Sequence, residues 1–302
     1  MSRGSGRERD EPILECSKCV VCDGSIRRVK RALVAPFLAE RIWRRAPFCV
    51  DLVSCCSCGF LFYNPRLEDD ELLRLYRDYR SSDYQRMRHS AEPWYTEKFN
   101  ADLASASSYA VRQMKLAPIL DRVLFGKKIS RVLDYGGDSG DLVAGLIEGA
   151  EAFVYDISGK PGAQGVTATM DPASCQADLI VNSNVLEHVG FPRVLMSELL
   201  DAAPIGGLLF IEVPCEQPFG SQRLMRRTAQ MILTAFTRPR LLRYVLRPSS
   251  LYMMHEHVNY FTEASLIALV RVAGGAVVSS GSYGSSGRGG KADMAWCLAA
   301  KQ

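Results

Sequence analysis

The chain has 302 residues, 47% hydrophobic and 23% charged, with a formal net charge of +4 at pH 7. That length and composition can bury one large core plus a small module. No apolar run approaches the length of a membrane-spanning helix, which excludes a spanning protein and favours a cytoplasmic enzyme.

The segment Met1 to Pro12 is polar, with no apolar h-region, so a signal peptide is not expected and a disordered tail is expected over 1–15. Seven of the ten cysteines then crowd between Cys16 and Cys58. Without an export signal this pattern points to metal binding in a reducing compartment rather than to disulfides. Cys19-Val20-Val21-Cys22 and Cys55-Cys56-Ser57-Cys58 are two C-x-x-C knuckles, each with a glycine nearby (Gly24 and Gly59). Together they make a four-thiolate cage for a structural zinc ion, with Cys16 and Cys56 as competing ligands. A zinc-binding module is therefore expected over 16–66. A helical bridge is expected over 67–125, where Tyr79 and Tyr84 are candidates to reach a substrate.

From Arg131 the pattern changes. Val132-Leu133-Asp134 reads as a strand ending in an acid. The glycine-rich turn Gly136-Gly137-Asp138-Ser139-Gly140 follows, and then an amphipathic stretch from Asp141 to Ile147. Such a turn lets backbone approach a ligand and exposes helix N-terminal N–H groups. A second apolar stretch ends at Asp156, whose carboxylate suits the two hydroxyls of a ribose. The centre of the chain thus reads as a nucleoside-cofactor site. Further strands are expected over 177–182, 206–213 and 294–299, with a helix near 192–203 and a glycine- and serine-rich hairpin loop over 281–290. This alternation predicts a parallel α/β sheet.

Between strand 206–213 and His255 lies a segment with seven arginines and no lysine, aspartate or glutamate, from Ser221 to Met254. It reads as two amphipathic helices broken at Arg238-Pro239-Arg240. Arginines there, Arg243 and Arg247 among them, suit phosphates of an acceptor, or an anionic membrane surface at the inner face of the membrane; a solvated face is the plain alternative.

The turn at Asp134–Gly140 and the run Val185-Leu186-Glu187-His188-Val189 resemble the first and fourth-strand motifs of class I S-adenosylmethionine (SAM) methyltransferases. Asp138 stands where that family usually has glycine. The head Cys58-Gly59-Phe60-Leu61-Phe62-Tyr63-Asn64-Pro65, and Glu256-His257 before Tyr260-Phe261-Thr262, resemble bacterial sugar C-methyltransferases and the methyltransferases of polysaccharide-biosynthesis clusters. The resemblance implies a Rossmann-like seven-stranded methyltransferase sheet over 126–302, with the arginine-rich insertion at 217–254. It implies that Asp134, Gly136, Gly137, Gly140, Asp156, Ser183 and Asn184 hold SAM, and that Glu256 with His257 or His188 supplies the base. The expected acceptor is a sugar or another small-molecule or glycan hydroxyl or carbon. An RNA methyltransferase and a non-catalytic SAM-fold protein are the rival readings. No nucleic acid is expected, because Ser183-Asn184-Val185-Leu186 replaces the N-P-P-Y-like motif of base methylation.

Overall fold

The computed structural model describes residues 14–79, 81–103, 105–216, 218–284 and 293–302. The tail expected over 1–15 lies outside the described residues up to 13, and the loop expected over 281–290 lies outside them from 285 onward. The first part of the chain forms β1 (Ile26–Leu33), α1 (Pro36–Trp43), β2 (Cys49–Cys55) and β3 (Leu61–Asn64), then α2 (Asp69–Tyr76), α3 (Ser82–Ala91), α4 (Glu97–Leu103) and α5 (Ala106–Val123). There follow β4 (Arg131–Tyr135), β5 (Glu151–Tyr155), β6 (Val166–Ala168), β7 (Leu179–Ser183), α6 (Pro192–Ala202) and β8 (Leu208–Pro214). The insertion is α7 (Ser221–Thr237) and the short α8 (Leu242–Val245), and the chain continues through β9 (Asn259–Tyr260), α9 (Glu263–Val272), β10 (Ala276–Tyr283) and β11 (Met294–Ala300).

A seven-stranded sheet runs in the order β10-β11-β8-β7-β4-β5-β6. Pairs from β8 to β6 are parallel, while β11 is antiparallel to both its neighbours. This is the Rossmann-like arrangement expected from the strand–helix alternation, with a ligand edge at the strand C-termini. Side chains alternate across it, as pleating requires. Val132, Leu179, Val181 and Phe210 pack with Leu116 and Leu120 of α5. Leu133, Ile180, Leu209 and Ile211 point to the other face, with Leu199 of α6 and Leu269 of α9.

A second, four-stranded sheet has the order β1-β2-β3-β9. Its last strand comes from the far end of the chain, with Leu61 opposite Tyr260 and Phe62 opposite Asn259. Phe60 and Phe62 enter the same core as Leu133 and Ile211, and the Phe60 ring sits 4.7 Å from that of Phe261. Arg66 is buried at this seam. Its guanidinium donates to the carbonyls of Gly190 (2.8 Å), Tyr63 (2.8 Å) and Val189 (3.1 Å) and to Asn259 Oδ1 (2.6 Å).

One expected element is absent in its regular form. The stretch Asp141–Ile147 is a succession of turns, with Val143 and Ala144 amides both donating to Gly140 O. The left-handed backbone at Gly145 and Gly149 (φ +70° and +74°) interrupts a helix there. Gln113 Nε2 from α5 instead donates to the carbonyls of Asp141, Leu142 and Ala144.

Candidate functional site

The glycine turn leaves β4 at the ligand edge of the large sheet. Gly137 is required by contact: a Cβ there would fall 2.0 Å from the Asp134 carboxyl carbon. Asp138 adopts φ +58°, the left-handed conformation that aspartate tolerates, so the turn survives the loss of glycine. Asp156 follows β5 and accepts from the Asp138 amide (3.0 Å) and the Ser158 amide (2.8 Å). Each of its oxygens keeps a further lone pair for a ligand hydroxyl. At the centre of the edge, Asp134 Oδ2 and Asn182 Oδ1 are buried without a hydrogen-bond partner among the described residues. Burial raises the Asp134 pKa to about 7. A carboxylate and an amide oxygen left unpaired beside an open turn fit a ligand bearing an ammonium, as the amino-acid part of SAM does.

Ser183 and Asn184 end β7. Arg112 Nη2 donates to Ser183 Oγ at 2.7 Å, and Ser183 donates on to the buried Glu212 carboxylate. Tyr283 OH also donates to Glu212, at 2.6 Å. Asn184 takes φ +58° and its amide donates to Glu212 O, turning the chain toward Glu187 and His188.

Two histidines from distant segments meet there. The rings of His188 and His257 are 4.6 Å apart, edge to face. His257 Nδ1–H donates to Glu216 Oε1 at 3.0 Å, which leaves Nε2 as an acceptor. Arg223 of α7 pairs with the same Glu216 and donates to Tyr260 OH at 2.8 Å. Burial would raise Glu216, but the His257 hydrogen bond and the charges of His257 and Arg223 hold it down at about 2. Burial would lower His257; the hydrogen bond and charge of Glu216, with Glu187 and Glu256, outweigh it and set its pKa above the usual imidazole value. His188 differs. Its Nδ1 lies 3.2 Å from Glu256 O and 2.8 Å from Tyr76 OH. Burial, then the charge of His257, brings its pKa down to about 3, so it stays neutral. Glu187 is buried beside them, with Oε2 unpaired, and burial raises it to about 7.

The structure therefore brings His188 and His257 together and sends Glu256 elsewhere. The Glu256 carboxylate accepts from Tyr84 OH and from Arg88 Nη1 (2.7 Å), behind the histidines. Tyr84 is fully buried and acts on Glu256; Tyr79 packs against the rings of Tyr76 and Tyr84. Arg243 and Arg247 flank the Tyr244 ring on the exposed side of α8. Sequence reasoning did not single out Tyr76, Arg88, Glu187, Glu216 or Arg223 for this site. The one local signal was position, since Glu216 lies two residues past β8 at the ligand edge.

The cysteines converge as a separate cluster. The sulfurs of Cys19, Cys22, Cys55 and Cys58 all lie within 4.8 Å of one another, with Cys19–Cys58 at 3.8 Å and Cys22–Cys55 at 3.5 Å. Tetrahedral Zn–S bonds of about 2.3 Å require sulfurs about 3.8 Å apart, so the donor set fits. Backbone amides of Val21, Ser57 and Cys58 point at Cys19 or Cys55 sulfur. Cys56 is exposed, and Cys16 is fixed through its backbone to the Asn64 amide.

Residues 110–280, more than half of the chain, match the family model of a methyltransferase domain. The chain belongs to the methyltransferase-domain family. With its seven-stranded sheet, this methyltransferase is of the class I, SAM-dependent kind. No curated protein matches it. Among solved structures, it is similar to a 1,6-didemethyltoxoflavin N1-methyltransferase from Burkholderia thailandensis with bound S-adenosylhomocysteine. That match has 17% identity, 84% of this chain and 95% of the other, and TM-score 0.47. It is also similar to magnesium protoporphyrin IX methyltransferase from Synechocystis PCC 6803, at 14% identity, 76% and 99% coverage, and TM-score 0.47. No helix among the described residues of the methyltransferase is long and apolar enough to cross a membrane.

Proposed function

We propose that this methyltransferase alkylates a hydroxyl, or a carbon next to a keto group, on a sugar or another small-molecule or glycan acceptor, with His257 as the general base. The observation that carries the reading is the Arg223–Glu216–His257 chain. A half-buried carboxylate, itself held by an arginine, fixes the imidazole with Nε2 as the acceptor. When bound, SAM supplies an electrophilic methyl on a sulfonium centre. Asp134 and the Gly136–Gly140 turn would hold its amino-acid part, and Asp156 the ribose. His257 would take the acceptor proton at Nε2 and return it to solvent. Neutral His188 would hold the acceptor from the facing side, with its Nδ1 fixed between Tyr76 OH and Glu256 O. Tyr84 and Arg88 would keep Glu256 ionised and that carbonyl in place.

The same reading gives Cys19, Cys22, Cys55 and Cys58 a structural zinc ion. Four protein ligands leave no open coordination position, so the ion would contribute folding energy and no chemistry. The test is turnover of labelled SAM with nucleotide-sugars and lipid-linked glycans, by wild type and His257→Asn. Loss of a general base should lower kcat by about 10²–10⁴-fold while SAM still binds. A His257→Asn enzyme with wild-type kcat would remove His257 from the role.

A further inference from the structure

Helix α7 is amphipathic with its faces reversed. Its inward face is mainly polar, with Met231 the apolar exception beside Arg227 and Thr234: Arg223 is on Glu216 and Tyr260, Arg227 (7% exposed) donates to Ser250 O at 3.1 Å, and Thr234 is 2% exposed. These follow at i, i+4 and i+11, one stripe of a helix. The outward stripe is apolar. Met225 is 66% exposed, Ile232 53%, Leu233 42% and Phe236 84%, with the small Ala229 between them. Past the Pro239 break, Leu242 and Leu246 are exposed as well. An ordinary surface helix turns its apolar stripe to the core. Here the polar stripe is anchored to the site, and the apolar one faces solvent.

Charge identifies what covers it. Residues 218–254 contain seven arginines and no acid or lysine. Arg226, Arg240, Arg243 and Arg247, on the same segment, are exposed. Beyond Phe236 the stripe abuts a groove of about 980 Å³ whose charged walls are Arg86, His89, Lys98, Arg238 and Arg240, with Glu97 the one acid. Two copies of the chain set face to face would crowd these arginines at one rim, with no acid on the segment to pair them. Anionic lipid headgroups supply the missing charge, and acyl chains take the apolar side chains.

The geometry points to α7 and α8 as an interfacial device that lies in the plane of an anionic membrane, apolar stripe down. The inference is independent of the acceptor. Its test is co-sedimentation of the full chain with vesicles of phosphatidylcholine alone and of phosphatidylcholine with phosphatidylglycerol. Binding is expected to the anionic vesicles and to weaken as salt rises. Ile232→Ser with Phe236→Ser should weaken it at least tenfold, with the melting temperature and SAM affinity of wild type. Arg243→Gln with Arg247→Gln should weaken it roughly 25-fold, from about 1 kcal/mol per arginine near the surface. No binding to anionic vesicles overturns the proposal. So does a wild-type oligomer that Ile232→Ser with Phe236→Ser dissociates, because a second copy then covers the stripe.

Discussion

Arg66 offers a quantitative test of how the cysteine-bearing half is joined to the sheet that holds the site. Arg66→Met keeps the apolar stem and removes every donor. Val189 O would retain the Asn259 side-chain Nδ2 at 2.7 Å, and Val258 O would retain the Tyr63 backbone amide at 3.0 Å. The cost therefore falls mainly on Gly190 O, Tyr63 O and Asn259 Oδ1, which accept from Arg66 at 2.8, 2.8 and 2.6 Å. At about 1–3 kcal/mol for each buried acceptor left unpaired, the loss over the three is about 6 kcal/mol. For a chain of this size each kcal/mol moves Tm by about 2–4 °C, so scanning calorimetry should show a fall of roughly 12–24 °C. Arg66→Lys should fall between the two, because one ammonium cannot span acceptors from two segments. An Arg66→Met variant melting within about 2 °C of wild type would refute the seam as a source of stability.

Three further outcomes are expected. Purified protein should carry one zinc per chain, and Cys19→Ser with Cys58→Ser should lose it; full zinc in that double variant would reassign the ligands. Asp156→Ala should weaken SAM binding by about 1–3 kcal/mol in calorimetric titration, and unchanged affinity in a folded variant would move the ribose elsewhere. The base acts when neutral, so kcat/KM should rise with pH through the His257 pKa, which Glu216 holds above the usual imidazole value despite burial. Glu216→Gln removes that charge, so the acid limb should shift to lower pH; an unmoved limb would show that another group titrates.

Much of the fold was legible because it is local. β4, β5 and β8 are short apolar runs that stop at a glycine, acid or proline, β7 is one that stops at Ser183-Asn184, and the break at Arg238–Arg240 is written in Pro239. The knuckle spacing announced the four-cysteine cluster. What could not be read is pairwise and distant. Glu216 and His257 are 41 residues apart, and Arg66 reaches Gly190 across 124. Neither pair leaves a periodic trace. Asp141–Ile147 has a helical pattern but glycines that break it. The arginines of α7 were legible as a cluster, but their direction was not. Composition gives a helix two faces without saying which one meets the core, and only the partners Glu216, Tyr260 and Ser250 decide that Arg223 and Arg227 turn inward.

The position of β9 ties these parts into one argument about rate. The strand follows His257 by one residue and pairs with β3, so the segment carrying Glu256 and His257 is an edge of the small sheet rather than a free loop. From the other side, Val258 and Asn259 amides donate to Glu187 O, which fixes the turn bearing His188. The two histidines thus face each other because one small strand is bonded both to the small sheet and to the turn that follows β7 of the large one. The cysteine cluster sits at the far end of β2 and just before β3, in the same core as Phe60 and Phe261. A metal held there would touch no reactant, yet its removal would loosen β3, and through β9 the spacing of His188 and His257. Chelation should therefore lower kcat before it lowers SAM affinity, because Asp134 and Asp156 stand on β4 and just beyond β5 in the large sheet. A chelated protein that loses SAM binding first, with kcat intact at saturating SAM, would break that chain of reasoning at the β3–β9 pairing.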